Sequence, residues 1–316
     1  MCTAISYRTG HHYFGRNLDL ERGYGEAVVI TPRRFPFAFR FAAPLKQHYA
    51  LIGMAAVAGG YPLYFEATNE TGLSMAGLNF PQYARYGSPA AGKENLAPFE
   101  LIPRLLGCCA TAAEARKRLE GIRVVDCSFS PELPVTPLHW LVADREEAFV
   151  LECTEEGMKL HSNPYGVLTN SPPFDFHRAN LCRYMALHEG AAQNRLLPGA
   201  ALNNFSLGFG AVGLPGDFSS CSRFVRAVFV REKSVCGSGE EESVNQFFHI
   251  LQAVAMPKGC VLTPDGKYEY TRYSCCCNTD TQVYYHTTYR NMTPRKTPLR
   301  AADLNAHSLT AFPMEA

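Results

Sequence analysis

Met1-Cys-Thr-Ala-Ile-Ser-Tyr7 opens the chain and reads as a strand. It lacks the basic start, the apolar run and the small-residue cleavage site of a secretory signal. Cys2 follows the initiator methionine directly, and a second residue this small permits removal of Met1. The new terminus then carries a thiol and an α-amine on one residue. With an unperturbed pKa of about 7.7 to 8.0 the amine is a base near neutral pH, and a thiol beside a base is the minimum for nucleophilic catalysis.

Outward from this strand, the first 80 residues stay strand-like. Ala27-Val-Val-Ile30, Ala50-Leu-Ile-Gly-Met54 and Tyr64-Phe-Glu-Ala-Thr68 are short apolar or alternating runs between Gly, Pro and Asn-Glu-Thr-Gly turn signals. Helices follow: Thr111 and Glu114 have capping-box spacing, and Pro103 is expected to kink or break the apolar segment before it. Leu138, Trp140 and Val142, then Asp144-Arg-Glu-Glu147, then Phe149, Leu151 and Cys153 form the pattern of an antiparallel hairpin. Helical periodicity returns over 174–187, 219–231 and 243–255. In the last of these Ser243 and Gln246 have capping-box spacing ahead of the Val244, Phe247, Phe248, Leu251 and Val254 stripe. Residues 268–277 and 282–288 close the chain as strands. No repeat or low-complexity linker divides it, so the pattern predicts one α+β domain over 1–316 with sheets face to face and helices outside.

Composition bounds the function. With 316 residues, 47% hydrophobic, 19% charged and a formal net charge of +1, the chain is globular and has no electrostatic case for nucleic acid or an anionic membrane. No apolar run reaches the roughly 20 residues of a membrane span. A cytoplasmic protein with small-molecule or protein partners is expected, its 12 cysteines mostly reduced and packed as small hydrophobes.

Several motifs mislead. Gly208-Phe-Gly-Ala-Val-Gly213 has dinucleotide-fingerprint spacing but leads into Leu-Pro-Gly-Asp rather than a helix, and reads as a loop. Cys275-Cys-Cys277 lies on a strand whose neighbours point to opposite faces, and no C-x-x-C spacing supports a metal site. A scattered polar set is more telling. Phe14-Gly-Arg-Asn-Leu-Asp19 places Arg16 and Asp19 within one short turn, about a hairpin's return from Cys2; an arginine favours thiolate and a carboxylate can orient an ammonium. Asn79 and Asn170 end apolar strands, where their amides could donate to an oxyanion, and Arg223 falls in the first turn of a helix.

The blocks that hold this set, with Met1-Cys-Thr3, Ala76-Gly-Leu-Asn-Phe-Pro81, Leu138-His-Trp140, Val167-Leu-Thr-Asn-Ser-Pro172 and Gly213-Leu-Pro-Gly-Asp-Phe-Ser-Ser-Cys-Ser-Arg-Phe224, resemble the choloylglycine hydrolase family. They run in order from residue 1 to about residue 290, leaving 291–316 as a C-terminal extension. The resemblance implies the αββα sandwich of N-terminal-nucleophile hydrolases and no cofactor or metal. By position, Cys2 is similar to the nucleophile, Arg16 and Asp19 to the pair beside it, Asn79 and Asn170 to the oxyanion and amine-positioning residues, and Arg223 to the second arginine. Asn79 resembles the bile salt hydrolase branch, since the penicillin V acylase branch typically carries tyrosine there. The implied substrate is a glycine- or taurine-conjugated bile acid, with penicillin V or an acylhomoserine lactone as the alternative, and a binding protein with an incidental cysteine as the rival of another class. A homotetramer is implied, with residues 197–213 as the assembly loop. One departure stands out: Val57-Ala-Gly-Gly-Tyr61 is small where relatives often place a bulky apolar residue, leaving Leu18, Phe129 and Leu133 to cover the sterol.

Overall fold

The apolar runs pair into two antiparallel sheets in the computed structural model, which describes residues 1–314. The first sheet passes, edge to edge, through Val167–Leu168 (β12), Cys2–Arg8 (β1), His12–Leu20 (β2), Tyr270–Asn278 (β13), Val283–Thr288 (β14) and Arg295–Pro298 (β15). The second passes through Gly157–Ser162 (β11), Ala148–Thr154 (β10), Leu138–Ala143 (β9), Ser74–Asn79 (β6), Tyr61–Asn69 (β5), Leu51–Ala58 (β4), Glu26–Thr31 (β3) and Thr310–Pro313 (β16). Glu94–Leu96 (β7) and Ile122–Val124 (β8) form a small parallel pair. The C-terminal stretch thus supplies one edge strand to each sheet.

Two helices, Leu101–Cys108 (α1) and Ala112–Leu119 (α2), pack outside the second sheet. Phe174–Leu181 (α3), Ser220–Lys233 (α4) and Glu240–Gln252 (α5) lie outside the first. The layers are helix, sheet, sheet, helix: the αββα sandwich. Both faces of the inner strands are therefore covered, which is why they read as near-continuous apolar runs. On β3 and β4, Val28, Ile30, Ile52 and Met54 join the core between the sheets, while Ala27, Val29, Leu51 and Ala55 join Leu101 and Leu105 beneath the helices.

The pairing of β1 with β2 builds the site. Cys2 pairs with Leu18 and Ala4 with Arg16, so Cys2 and Arg16 share the face toward the second sheet; Thr3, Asn17 and Asp19 take the other face. Arg16 accordingly reaches carbonyls of β5 and β6, whereas Asn17 donates to the Leu251 carbonyl of α5. Arg16 and Asp19 are not in a turn but in a nine-residue strand, on opposite faces. Just before Arg16, Gly15 is required where β2 meets β13, because a Cβ there would lie 1.9 Å from the Cys275 carbonyl oxygen.

Three local expectations change. Pro103 neither kinks nor breaks the segment: it occupies the first turn of α1, where an amide hydrogen has no intrahelical acceptor to lose. Helix α5 begins at Glu240, not Ser243. Three glutamates fill its first turn, where the helix dipole favours them, and Ser243 instead bonds Thr9 in the turn between β1 and β2. The helix expected over 174–187 is α3 followed by one 3₁₀ turn, ending at Tyr184. Gly208–Gly213 is a loop, as read, with positive φ at both end glycines.

Candidate active site

A chain terminus usually lies at the surface. Here Cys2 is only 3% exposed and begins an interior strand. Its amide nitrogen donates to Asn170 Oδ1 at 2.8 Å, and its carbonyl accepts from Arg223 Nη1 at 2.5 Å. Met1 continues past it. The Met1 amine donates to the Asp19 carbonyl at 2.7 Å and pairs with Glu269, and the Asp19 amide donates back to the Met1 carbonyl at 3.0 Å. Burial holds that amine below its ordinary pKa of 8.0, against the opposing pull of Cys2 and Asp19.

Asn170 is the hub. Its Oδ1 accepts both the Cys2 amide and Arg223 Nη2, each at 2.8 Å, and its Nδ2 donates to the Asn79 carbonyl at 2.7 Å. Helix α4 supplies Arg223, whose other donors reach Thr3 Oγ1 at 2.7 Å and the Phe218 carbonyl at 3.0 Å. Burial lowers the Arg223 pKa, with Asp19 and Cys2 opposing. Ser219 caps that helix and Asp217 accepts from Ser222, so the Asp-Phe-Ser-Ser-Cys-Ser run fixes the helix start that aims Arg223.

Asp19 is fully buried. Its Oδ1 accepts from Thr271 Oγ1 at 2.6 Å, and its Oδ2 has no hydrogen-bond partner among the described residues. Arg16, also fully buried, spends Nη1 on the Gly77 and Phe65 carbonyls at 2.6 and 3.0 Å and leaves Nη2 unpartnered. Buried polar groups are nearly always paired, so an acceptor left open on Asp19 and a donor left open on Arg16, on the two faces of β2, mark places built for other charges. Burial works against the Arg16 charge, yet Cys2, Tyr273 and Glu66 more than offset it and hold its pKa above the ordinary arginine value. Asn79 ends β6 with its carbonyl committed to Asn170. Its side-chain amide makes no hydrogen bond among the described residues, and the residue is half-buried.

Phe129 and Leu133 share one turn, the Phe129 amide donating to the Leu133 carbonyl at 3.2 Å. The Phe129 ring packs on Phe99 and Tyr61 with centroids 5.3 and 5.9 Å away, and Arg40 donates to its carbonyl at 2.6 Å. Tyr61 packs its ring into this aromatic group, while the β4–β5 hairpin turns at Gly59 and Gly60 with Ala58 paired to Tyr61 and Val57 to Pro62. Leu18 is buried opposite Cys2.

Sequence reasoning missed the residues behind the site. Glu66 on β5 accepts Tyr284 and Tyr273 hydroxyls at 2.6 and 2.7 Å and lies 3.9 Å from Arg16 Nε. Burial raises its pKa, with Arg16 opposing. A single carboxylate in the apolar run Tyr64-Phe-Glu-Ala-Thr68 was the available signal. Thr271, Thr3 and Ser220 carry none, because isolated hydroxyl residues are common on strands and helix starts.

The sequence model of the linear amide C–N hydrolases, choloylglycine hydrolase family, matches residues 2–312. The chain belongs to this family. It is 48% identical to a bile salt hydrolase/transferase of Lactiplantibacillus plantarum over 99% of this chain and 97% of that one. It is 39% identical to a conjugated bile acid hydrolase of Lactobacillus gasseri over 90% and 92%. Among solved structures, a conjugated bile acid hydrolase variant from Clostridium perfringens superposes with a TM-score of 0.92 at 33% identity, covering 99% of this chain and 97% of that chain. Penicillin V acylase from Agrobacterium tumefaciens, at 20% identity and a TM-score of 0.77 over 98% and 90%, shares the fold. As a choloylglycine hydrolase family member the protein is a hydrolase of linear amide C–N bonds. Among the described residues no helix is long and apolar enough to cross a membrane.

Proposed function

We propose that the protein hydrolyses the amide joining a bile acid to glycine or taurine, with Cys2 as nucleophile. The observation that carries this reading is Cys2 itself: a buried second residue whose backbone nitrogen already meets Asn170 Oδ1, on a strand paired with the one that carries Asp19 and its open oxygen. Loss of Met1 turns that nitrogen into an α-amine. Asn170 and Asp19 then orient it, and burial, which already lowers the Met1 amine, favours its basic form.

The steps balance on these groups. The amine takes the thiol proton, and the thiolate forms a C–S bond at the amide carbonyl. Arg16 Nη2 stabilises the thiolate, while the Asn79 side-chain amide and a backbone N–H hold the oxyanion. Collapse breaks the C–N bond as the amine passes its proton to the departing glycine or taurine. Water then gives a proton to the amine and attacks the thioester; cleavage of the C–S bond releases the bile acid and restores the thiol. Binding the rigid sterol on Leu18, Phe129 and Leu133 positions the amide.

The sequence similarity to bile salt and conjugated bile acid hydrolases supports the substrate class. A cytoplasmic homotetramer is part of the proposal. In its support, the segment before α4 exposes Leu196, Phe205, Leu207 and Val212 by 72% or more, apolar surface that a partner subunit would cover. Initial rates on glycocholate, taurocholate and penicillin V test the reading. A kcat/KM on either bile salt well above that on penicillin V supports it, and the reverse order moves the protein to the acylase branch.

A further inference from the structure

Behind Asn170 lies a buried group that the chemistry above does not use. His139, on β9 and with no exposed surface, directs Nδ1 to Glu152 Oε1 at 3.1 Å and Nε2 to the Thr169 carbonyl at 3.0 Å. The imidazole thus bridges the Glu152 carboxyl and the Thr169 carbonyl, and His161 Nε2 approaches the other Glu152 oxygen at 3.4 Å. The carboxylate is held in turn: the Phe174 amide at the start of α3 donates to its Oε1 at 3.0 Å. Phe80, next in sequence to Asn79, lies flat on the imidazole with centroids 4.3 Å apart and an interplanar angle of 6°.

His139 therefore touches both segments that matter. One contact fixes the residue before Asn170, the other the residue after Asn79, and the two asparagines meet through the 2.7 Å Nδ2 to carbonyl bond. His177 of α3 completes the support by bonding the Asn170 carbonyl at 2.9 Å, and Ser220 accepts the Asn170 amide at 2.9 Å. We propose that His139, held by Glu152, is a positioning residue: it sets the separation of Asn170 and Asn79, and through them the alignment of the Cys2 amine with the oxyanion. The inference rests on the Cys2 mechanism proposed above.

The test uses the full-length, Met1-processed protein with glycocholate, and kcat is normalised to the fraction of N-terminal peptide alkylated at Cys2. His139→Ala is expected to lower kcat per site by about 10- to 100-fold, the loss typical of removing an outer partner that orients a reacting group, with KM changed less than about threefold. His139→Gln can donate to Thr169 but not to Glu152 at once, and recovers part of that loss. Glu152→Gln, nearly isosteric, gives a loss in the same direction and keeps the test open if His139→Ala does not fold. Trp140→Phe changes the neighbour on the opposite face of β9, and is expected to lower the melting temperature with kcat per site unchanged. Wild-type kcat per site in His139→Gln and Glu152→Gln overturns the inference, as does a Trp140→Phe loss equal to theirs, which would mean general loosening of the strand. A Cys2→Ala protein that still turns over glycocholate would instead defeat the mechanism itself, whatever the His139 variants do.

Discussion

Replacing Asn170 with alanine removes three hydrogen bonds from a residue 4% exposed: two accepted by Oδ1 from Cys2 and Arg223, and one donated by Nδ2 to Asn79. A bond to a charged group contributes about 1.5–3 kcal/mol and a neutral one about 1 kcal/mol, so the expected loss of stability is about 3–5 kcal/mol. That is a large part of an ordinary domain stability of about 5–15 kcal/mol. The Cys2 amine loses its anchor at the same time, and kcat should fall by about 10²-fold or more. Asn170→Asp separates the two effects. It keeps the Oδ1 contacts but places a carboxylate beside the amine, which favours the ammonium form and raises its pKa. The basic form then exists only at higher pH, so the surviving activity should move to a more alkaline optimum. Urea denaturation of both variants and pH profiles on glycocholate read out the result. An Asn170→Ala protein that unfolds at the wild-type midpoint and turns over within about threefold of wild type would refute this reasoning.

Asn79→Ala should reduce kcat by about 10² to 10³ while leaving the urea midpoint nearly unchanged, since among the described residues only the Asn79 carbonyl, and not its side-chain amide, is hydrogen-bonded. Glu66→Gln leaves the fully buried Arg16 without its carboxylate and should cost about 3–5 kcal/mol in chemical denaturation. Burial lowers the pKa of His12, His177 and His286 from 6.5 to about 4, so the fold prefers each neutral. Their contribution is complete above pH of about 6.5 and is lost as pH falls toward about 4, and denaturation midpoints should drop across that interval more steeply than in a His286→Asn protein.

Much of the architecture was legible because the chemistry that forms it is local. The runs at Ala27–Ile30 and Ala50–Met54 and the Leu138, Trp140 and Val142 alternation announced strands, and the Val244 to Val254 stripe announced a helix facing the core. Helix boundaries were less so. Ser243 has the spacing of a cap, yet its hydroxyl is worth more against Thr9 in tertiary structure, and Glu240 takes the first turn. Among the site residues, Cys2, Arg16, Asp19, Asn79, Asn170 and Arg223 stood out by motif, and the fold gathers their backbones and side chains around one strand end. Their partners stayed hidden. Glu66 faces Arg16 only because the two sheets stack, and His139 meets Glu152 and Thr169 only through pairing of β9 and the approach of β12, separations that no periodicity reports.

The central claim is that a processed Cys2 is the nucleophile, and glycine release from glycocholate by Cys2→Ala measures it most directly. Intact mass first shows that wild type and variant have both lost Met1, and thermal unfolding shows that they agree in stability within about 1 kcal/mol. The account predicts steady glycine release by the wild type and none above the uncatalysed rate by the variant. Release by Cys2→Ala, or by a wild-type chain that keeps Met1, would contradict it.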